Sequence, residues 1–125
     1  MNRYLLISIG AILGANARYL VNVWAAERIG ASFPYGTLLV NVSGSLVLGF
    51  IVGAAAGRLV ISSDLRLLLG VGFLGAYTTF SSYAVESVEL IRTGNLALGL
   101  LNIAGNNLLA LAAALFGVLI AHWIG

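Results

Sequence analysis

The sequence predicts an all-α integral membrane protein of four transmembrane helices, folded as one domain over residues 1–125. Three observations predict it. Charged residues make up 8% of the chain and hydrophobic ones 61%, whereas a soluble domain carries about 25% charge. The mean hydropathy is +1.06. Four charge-poor runs, Leu5–Ala25, Gly36–Gly57, Leu65–Ile91 and Leu96–Trp123, are each long enough to cross a bilayer, which takes roughly 20 residues. Lipid allows only helices and closed barrels, because no water is present to satisfy a free backbone group. These runs are too long and too continuously apolar for alternating barrel strands.

The first run starts at the N-terminus but has no convincing small-residue cleavage site, so it reads as a span rather than a cleaved leader. It carries Gly10 and Gly14, four apart. The loop "RIGASFPYG" holds the only proline, Pro34, at an interfacial turn before the second helix. That helix carries a ridge of Gly49, Gly53 and Gly57. Such small-residue rows let helix backbones touch where no hydrophobic force drives association. "SSDLR" offers Ser63 or Asp64 as the N-cap of the third helix. Within that helix Gly70, Gly72 and Gly75 precede Thr78 and Thr79, and the third helix is expected to break near its middle. "RTGN" supplies Gly94 and Asn95 as a stop and restart before the fourth.

Several function classes fall away. The chain has no cysteine, so disulfides and thiolate metal sites are excluded. The net charge of +2 is small and scattered, and the six basic residues are all Arg, so no nucleic-acid partner is expected. No nucleophile–base set, phosphate loop or metal cluster is present, and an enzyme is not expected. His122 lies at the C-terminal membrane edge, an interfacial position. Arg3, Arg58 and Arg66 fall on the side of the two termini; Arg28 and Arg92 fall on the other, with Arg18 near it. Basic residues set orientation, and this distribution is almost even. Two readings stand side by side: a weak bias to one orientation, or insertion both ways.

Polar side chains recur inside the spans. Thr37, Asn41 and Ser45 are spaced by four and share a face of the second helix. Asn102 and Asn106 do the same on the fourth, with Asn107 beside them. The third has "GAYTTFSSYAVES", Gly75 to Ser87, with five Ser and Thr hydroxyls, two phenols and Glu86. Hydrogen-bonding glue between helices accounts for any one of these, at about 0.6 kcal/mol each. Stripes on three helices point further, because buried Asn is costly unpaired. Neutral donors can replace the water around a small anion without trapping it. Aromatic edges carry partial positive charge, so Phe80 and Tyr83, three apart, can add edge-on contacts. Glu86 fits beside an anion only if neutral or hydrogen-bonded to a neighbouring hydroxyl. Four helices packed through small residues leave no pore inside one subunit, so transport would need an oligomer.

The pattern "GT-x-x-VN-x-x-G" (Gly36, Thr37, Val40, Asn41, Gly44), followed by "GFLGAYTTFSSYAVE" and joined by Gly14-x-x-x-Arg18, resembles the Fluc, or CrcB, family of fluoride channels. The resemblance runs along the whole chain. It implies passive, selective export of cytoplasmic fluoride by an antiparallel dual-topology homodimer with two pores, in the lipid of the cell's inner (plasma) membrane. It implies a structural Na⁺ at the dimer centre, held by the main-chain carbonyls of Gly75 and Thr78. Fluoride would pass Phe80, Tyr83 and Asn41, along a polar track of Thr37, Thr79, Glu86, Asn102 and Asn106, with Arg18 in an aqueous vestibule. The chain departs from the family's pattern at Tyr83, usually Phe, at Gly75-Ala76, usually two glycines, and at Asn102, Asn106 and Ala110, where hydroxyls are usual. Two other classes offer alternatives. A small multidrug-type cation exporter shares four helices and dual topology but needs a carboxylate in the first helix, where Leu5–Ala25 has none. A non-transporting membrane scaffold would not need polar stripes.

Overall fold

The structure, a computed structural model, describes all residues from Met1 to Gly125 and holds only helices and their connections. Four spans follow chain order: α1 (Arg3–Arg28), α2 (Tyr35–Ala56), α3 (Ser63–Arg92) and α4 (Leu96–Ile124). All four are long and apolar enough to cross a membrane, and the chain is a multi-pass membrane protein.

The helix ends follow local chemistry. Asn2 caps α1 by accepting the Tyr4 N–H at 2.8 Å. Pro34 stands just ahead of α2, where its missing N–H removes no helical bond. Ser62 caps α3, rather than Ser63 or Asp64: its hydroxyl accepts the Leu65 N–H at 3.2 Å. This register leaves Asp64 in the first turn, where the helix dipole favours a carboxylate. Gly94, at φ 92°, ends α3 in the left-handed region, and Asn95 starts α4 without a side-chain cap bond.

α3 is not one regular helix. From Arg66 to Leu74 its turns widen to π geometry, which is rare over more than a single turn. Gly75–Tyr77 returns to α geometry, and then Thr78 (φ −84°, ψ 156°) and Thr79 (φ −150°, ψ 125°) are extended. Phe80–Arg92 resumes the helix. The expected break is therefore present, but glycine does not make it. Gly75 is helical at φ −61°, ψ −36°, and the chain departs three residues later.

Small residues set the packing. Gly10 and Gly14 of α1 lie against α3, where an added Cβ would overlap the carbonyls of Leu68 and Phe73 respectively. α2 runs along α4, with Gly49 against Ala114 and Gly53 against Val118 and Ala121. Gly117 of α4 returns the contact against the backbone of Leu46 and Phe50. Gly57 leaves the ridge expected of it. It sits at the C-cap of α2, exposed, with atoms of no other helix near its missing Cβ. Only 22 of the 125 residues are buried, so most apolar side chains face outward, as a lipid solvent permits.

The two ends of one ridge should therefore respond differently to a methyl group. Gly49→Ala forces backbone apart and is expected to cost about 1–3 kcal/mol. Gly57→Ala meets only ordinary contacts with carbonyls of its own helix and should change stability by less than about 0.5 kcal/mol. Unfolding followed by circular dichroism in mixed micelles reads both; equal losses would contradict the packing described.

Candidate functional site

The site is built on the break in α3. Asn41 of α2 replaces both backbone partners that Thr79 loses there. Its Oδ1 accepts the Thr79 N–H at 2.8 Å, and its Nδ2 donates to the Thr79 carbonyl at 2.9 Å. The Thr79 hydroxyl then accepts the Ser82 N–H at 3.2 Å and caps the resumed helix. Phe80 and Tyr83 leave that helix together, ring centroids 5.2 Å apart in an edge-to-face arrangement. The same break strips the four carbonyls from Gly75 to Thr78 of their helical donors. A continuous α-helix would give the Thr79 N–H to Gly75 and the Ser82 N–H to Thr78, and both donors are spent elsewhere.

From Asn41 a line of amides crosses to α4 and back. Asn41 Nδ2 also donates to Asn106 Oδ1 at 2.9 Å. Asn106 Nδ2 donates to the side-chain and main-chain oxygens of Asn102, each at 2.9 Å. Asn102 Nδ2 donates to the Ser87 hydroxyl at 2.9 Å, which donates to the Tyr83 carbonyl at 2.7 Å. Asn102 is 0% exposed and Asn106 5%, so both must be paired, and they are. This line ties α2, α4 and the second half of α3 to one another.

Beside it lies a cleft of about 330 Å³ lined by Asn41, Ser45, Thr78, Thr79, Phe80, Tyr83 and Asn106, together with the apolar Ala110 and Leu111. Phe80 is 76% exposed and forms an open wall. Of the expected site residues, the cleft thus gathers Asn41, Thr78, Thr79, Phe80, Tyr83 and Asn106. The others lie elsewhere. Thr37, 1% exposed, donates to Glu86 Oε1 at 2.8 Å, which leaves Glu86 Oε2 buried without a partner. Of the two ways for Glu86 to sit near an anion, the hydroxyl partner is present. Glu86 lines a separate hollow of about 230 Å³ with Ser32, Pro34, Glu89 and Thr93. Asn102 is fully enclosed within the amide line. Arg18 lines a third hollow of about 250 Å³ with Tyr19, Asn22 and Ser82, and its guanidinium makes no ion pair.

Residues 5–118 match the family described as CrcB-like protein, Camphor Resistance (CrcB). The chain belongs to the CrcB family. It is 47% identical over 115 residues to the fluoride-specific ion channel FluC of Koribacter versatilis, covering 92% of this chain and 91% of that protein. To the FluC of Trichormus variabilis it is 42% identical over 120 residues, covering 95% and 88%. To that of Chloroflexus aurantiacus it is 39% identical over 125 residues, covering 100% and 99%.

In this member of the CrcB family the hydrogen-bond inventory separates two kinds of polar group. Each side-chain amide has two N–H donors. Those of Asn41 go to Thr79 and Asn106, and those of Asn106 go to Asn102. The amides are therefore structural braces. The hydroxyls of Thr79 and Ser45 face the cleft without donating to any protein acceptor. Two members of these networks have no role that the sequence pattern assigns. Ser87 stands four residues after Tyr83 on one helical face, and the spacing alone does not show that it pairs with Asn102. Asn107 stands beside the Asn102–Asn106 stripe, and its Nδ2 donates to the Tyr83 hydroxyl at 2.9 Å.

Asn41→Leu should leave the Thr79 N–H and C=O unpartnered at membrane depth. With about 1–3 kcal/mol for each buried group left unpaired, the expected loss is several kcal/mol of stability. Amide exchange of Thr79 should accelerate more than that of residues in α1. Unfolding in micelles and residue-resolved hydrogen exchange check both, and an unaltered Thr79 protection would remove the clamp from the account.

Proposed function

We propose that the chain is a passive fluoride-selective channel. It lets cytoplasmic fluoride leave down its electrochemical gradient, and it works in the cell's plasma membrane as an antiparallel dual-topology homodimer with two pores. One observation carries the reading: a cleft braced by spent amides presents neutral hydroxyl donors and aromatic edges, and no fixed cation. Such a surface can exchange for the water shell of a small, hard anion and still release it. The relatives' printed names, fluoride-specific ion channel, support the choice of anion. Fluoride entering as uncharged acid ionises in a neutral cytoplasm. The inside-negative potential then expels the anion with about 2.3 kcal/mol per 100 mV.

The half-open cleft supports a dimer, since Phe80 stands largely uncovered on one subunit. The near-even Arg distribution supports insertion both ways. A central Na⁺ would be held by the main-chain carbonyls of Gly75 and Thr78, hard oxygen ligands of the kind a broken helix frees. The fit rests on the diverted N–H groups of Thr79 and Ser82. No trio of His, Cys, Asp or Glu offers another seat. Glu86 and Thr37 would lie at one end of the ion's route and Arg18 in its vestibule. Asn102 would brace the route without touching the ion.

Efflux from liposomes reconstituted with pure protein tests the function. Fluoride should leave rapidly and chloride at least about a hundredfold more slowly, because a larger anion gains less from the same charge-assisted donors. Comparable rates for the two anions would overturn the reading.

Orientation gives a second test. Two or three Lys added after Gly125 should bias a tagged population to one topology and lower its flux. Co-expression with a chain biased the other way should restore it. Full flux from one fixed topology would rule out the antiparallel dimer.

A further inference from the structure

Building on the fluoride reading, we propose that Asn107 is a positioning residue that commits the Tyr83 hydroxyl to donate to fluoride, so that the two form a specificity-determining pair. Asn107 lies on α4 at the rim of the cleft. Its Nδ2 donates to the Ile103 carbonyl at 2.8 Å and to the Tyr83 hydroxyl at 2.9 Å. The first bond fixes which end of the amide faces inward, because a carbonyl can only accept. The second therefore has one sense: Asn107 donates and the phenol oxygen accepts.

A phenol is ordinarily both donor and acceptor. Here its oxygen is engaged, and no oxygen or nitrogen of the chain accepts its proton. That proton belongs to the cleft shared with Asn41, Thr79, Phe80 and Asn106. The edge-to-face contact with Phe80 at 5.2 Å restrains the ring that carries it. Accepting a hydrogen bond polarises an O–H and strengthens its own donation. A committed hydroxyl donor at an otherwise aromatic wall favours the anion of highest charge density. It offers nothing to a cation. Because the neighbouring amides have spent their donors on one another, this hydroxyl is one of the few in the cleft still available.

The test is a double-mutant cycle on half-saturating fluoride concentration, measured by efflux from liposomes. It uses the parent, Tyr83→Phe, Asn107→Leu and the double variant, with chloride inhibition of the same flux as the second readout. Each single change should raise half-saturating fluoride about tenfold, the size expected for one hydrogen bond to a charged group. The double variant should be no worse than Tyr83→Phe alone, and half-inhibiting chloride should move less than about twofold. Asn107 is exposed, and Asn107→Ala is the replacement if the Leu variant does not fold. Unchanged singles, or effects that multiply in the double, would overturn the pair while the fluoride channel stands. A parent with no saturable fluoride flux would overturn both.

Discussion

The double hydrogen bond between Asn41 and the Thr79 backbone is the constraint on which the rest depends. A helix broken inside a membrane exposes peptide groups that lipid cannot satisfy. One side-chain amide here supplies a carbonyl and an N–H with the geometry of a missing neighbouring peptide. The break can then persist, and with it the direction in which α3 resumes. Phe80 and Tyr83 point where they do because Thr79 is held extended and its hydroxyl caps the next turn. The two carbonyls whose helical donors are diverted, Gly75 and Thr78, follow from the same clamp.

The clamp would be weak alone, because Asn41 is only half-buried and its amide must be kept from rotating. The line through Asn106, Asn102 and Ser87 does this. Its members sit on α4 and the second half of α3, so the polar groups also act as interhelical ties. Backbone contact through Gly49, Gly53 and Gly117 brings α2 close enough to α4 for the short Asn41–Asn106 bond to form. Small residues and amides are thus two parts of one arrangement. The glycines set the distance and the amides set the register.

Much of this was legible in the sequence. The four spans needed only length and hydropathy, because lipid imposes them. The stripes at Thr37, Asn41 and Ser45, and at Asn102 and Asn106, were legible because a period of four marks one helical face. The position and cause of the break were less so. Glycine is the usual suspect for an irregular helix, and Gly75 precedes the break. Yet the deciding residue, Asn41, lies thirty-eight positions away in sequence from Thr79. No local pattern reports a bond of that separation. Ser62 displaced Ser63 and Asp64 as cap for a different reason: three polar residues in a row offer three registers, and the sequence alone does not choose between them. The split of site residues between cleft, hollow and enclosed line was also illegible. A stripe gives a face, but not which groups on it are already paired.

That last distinction changes how a polar membrane site should be read. A count of hydroxyls and amides treats Asn106 and Thr79 as equal donors. Pairing makes them unequal: Asn106 has given both N–H groups to Asn102, whereas the Thr79 hydroxyl accepts from Ser82 and keeps its proton. In water such differences are small, since any unmet donor finds solvent. At bilayer depth the alternative to a partner is nothing, at a cost of several kcal/mol, so an unspent donor is held in reserve for whatever enters the cleft. The amides hold the frame because two donors and an acceptor can be fixed on three neighbours at once. A hydroxyl can rotate its one proton toward an arriving ion without breaking the frame. The division of labour between amide and hydroxyl therefore follows from their valence, and under the proposed channel function it would leave contact with the ion to the residues with least structural work to do.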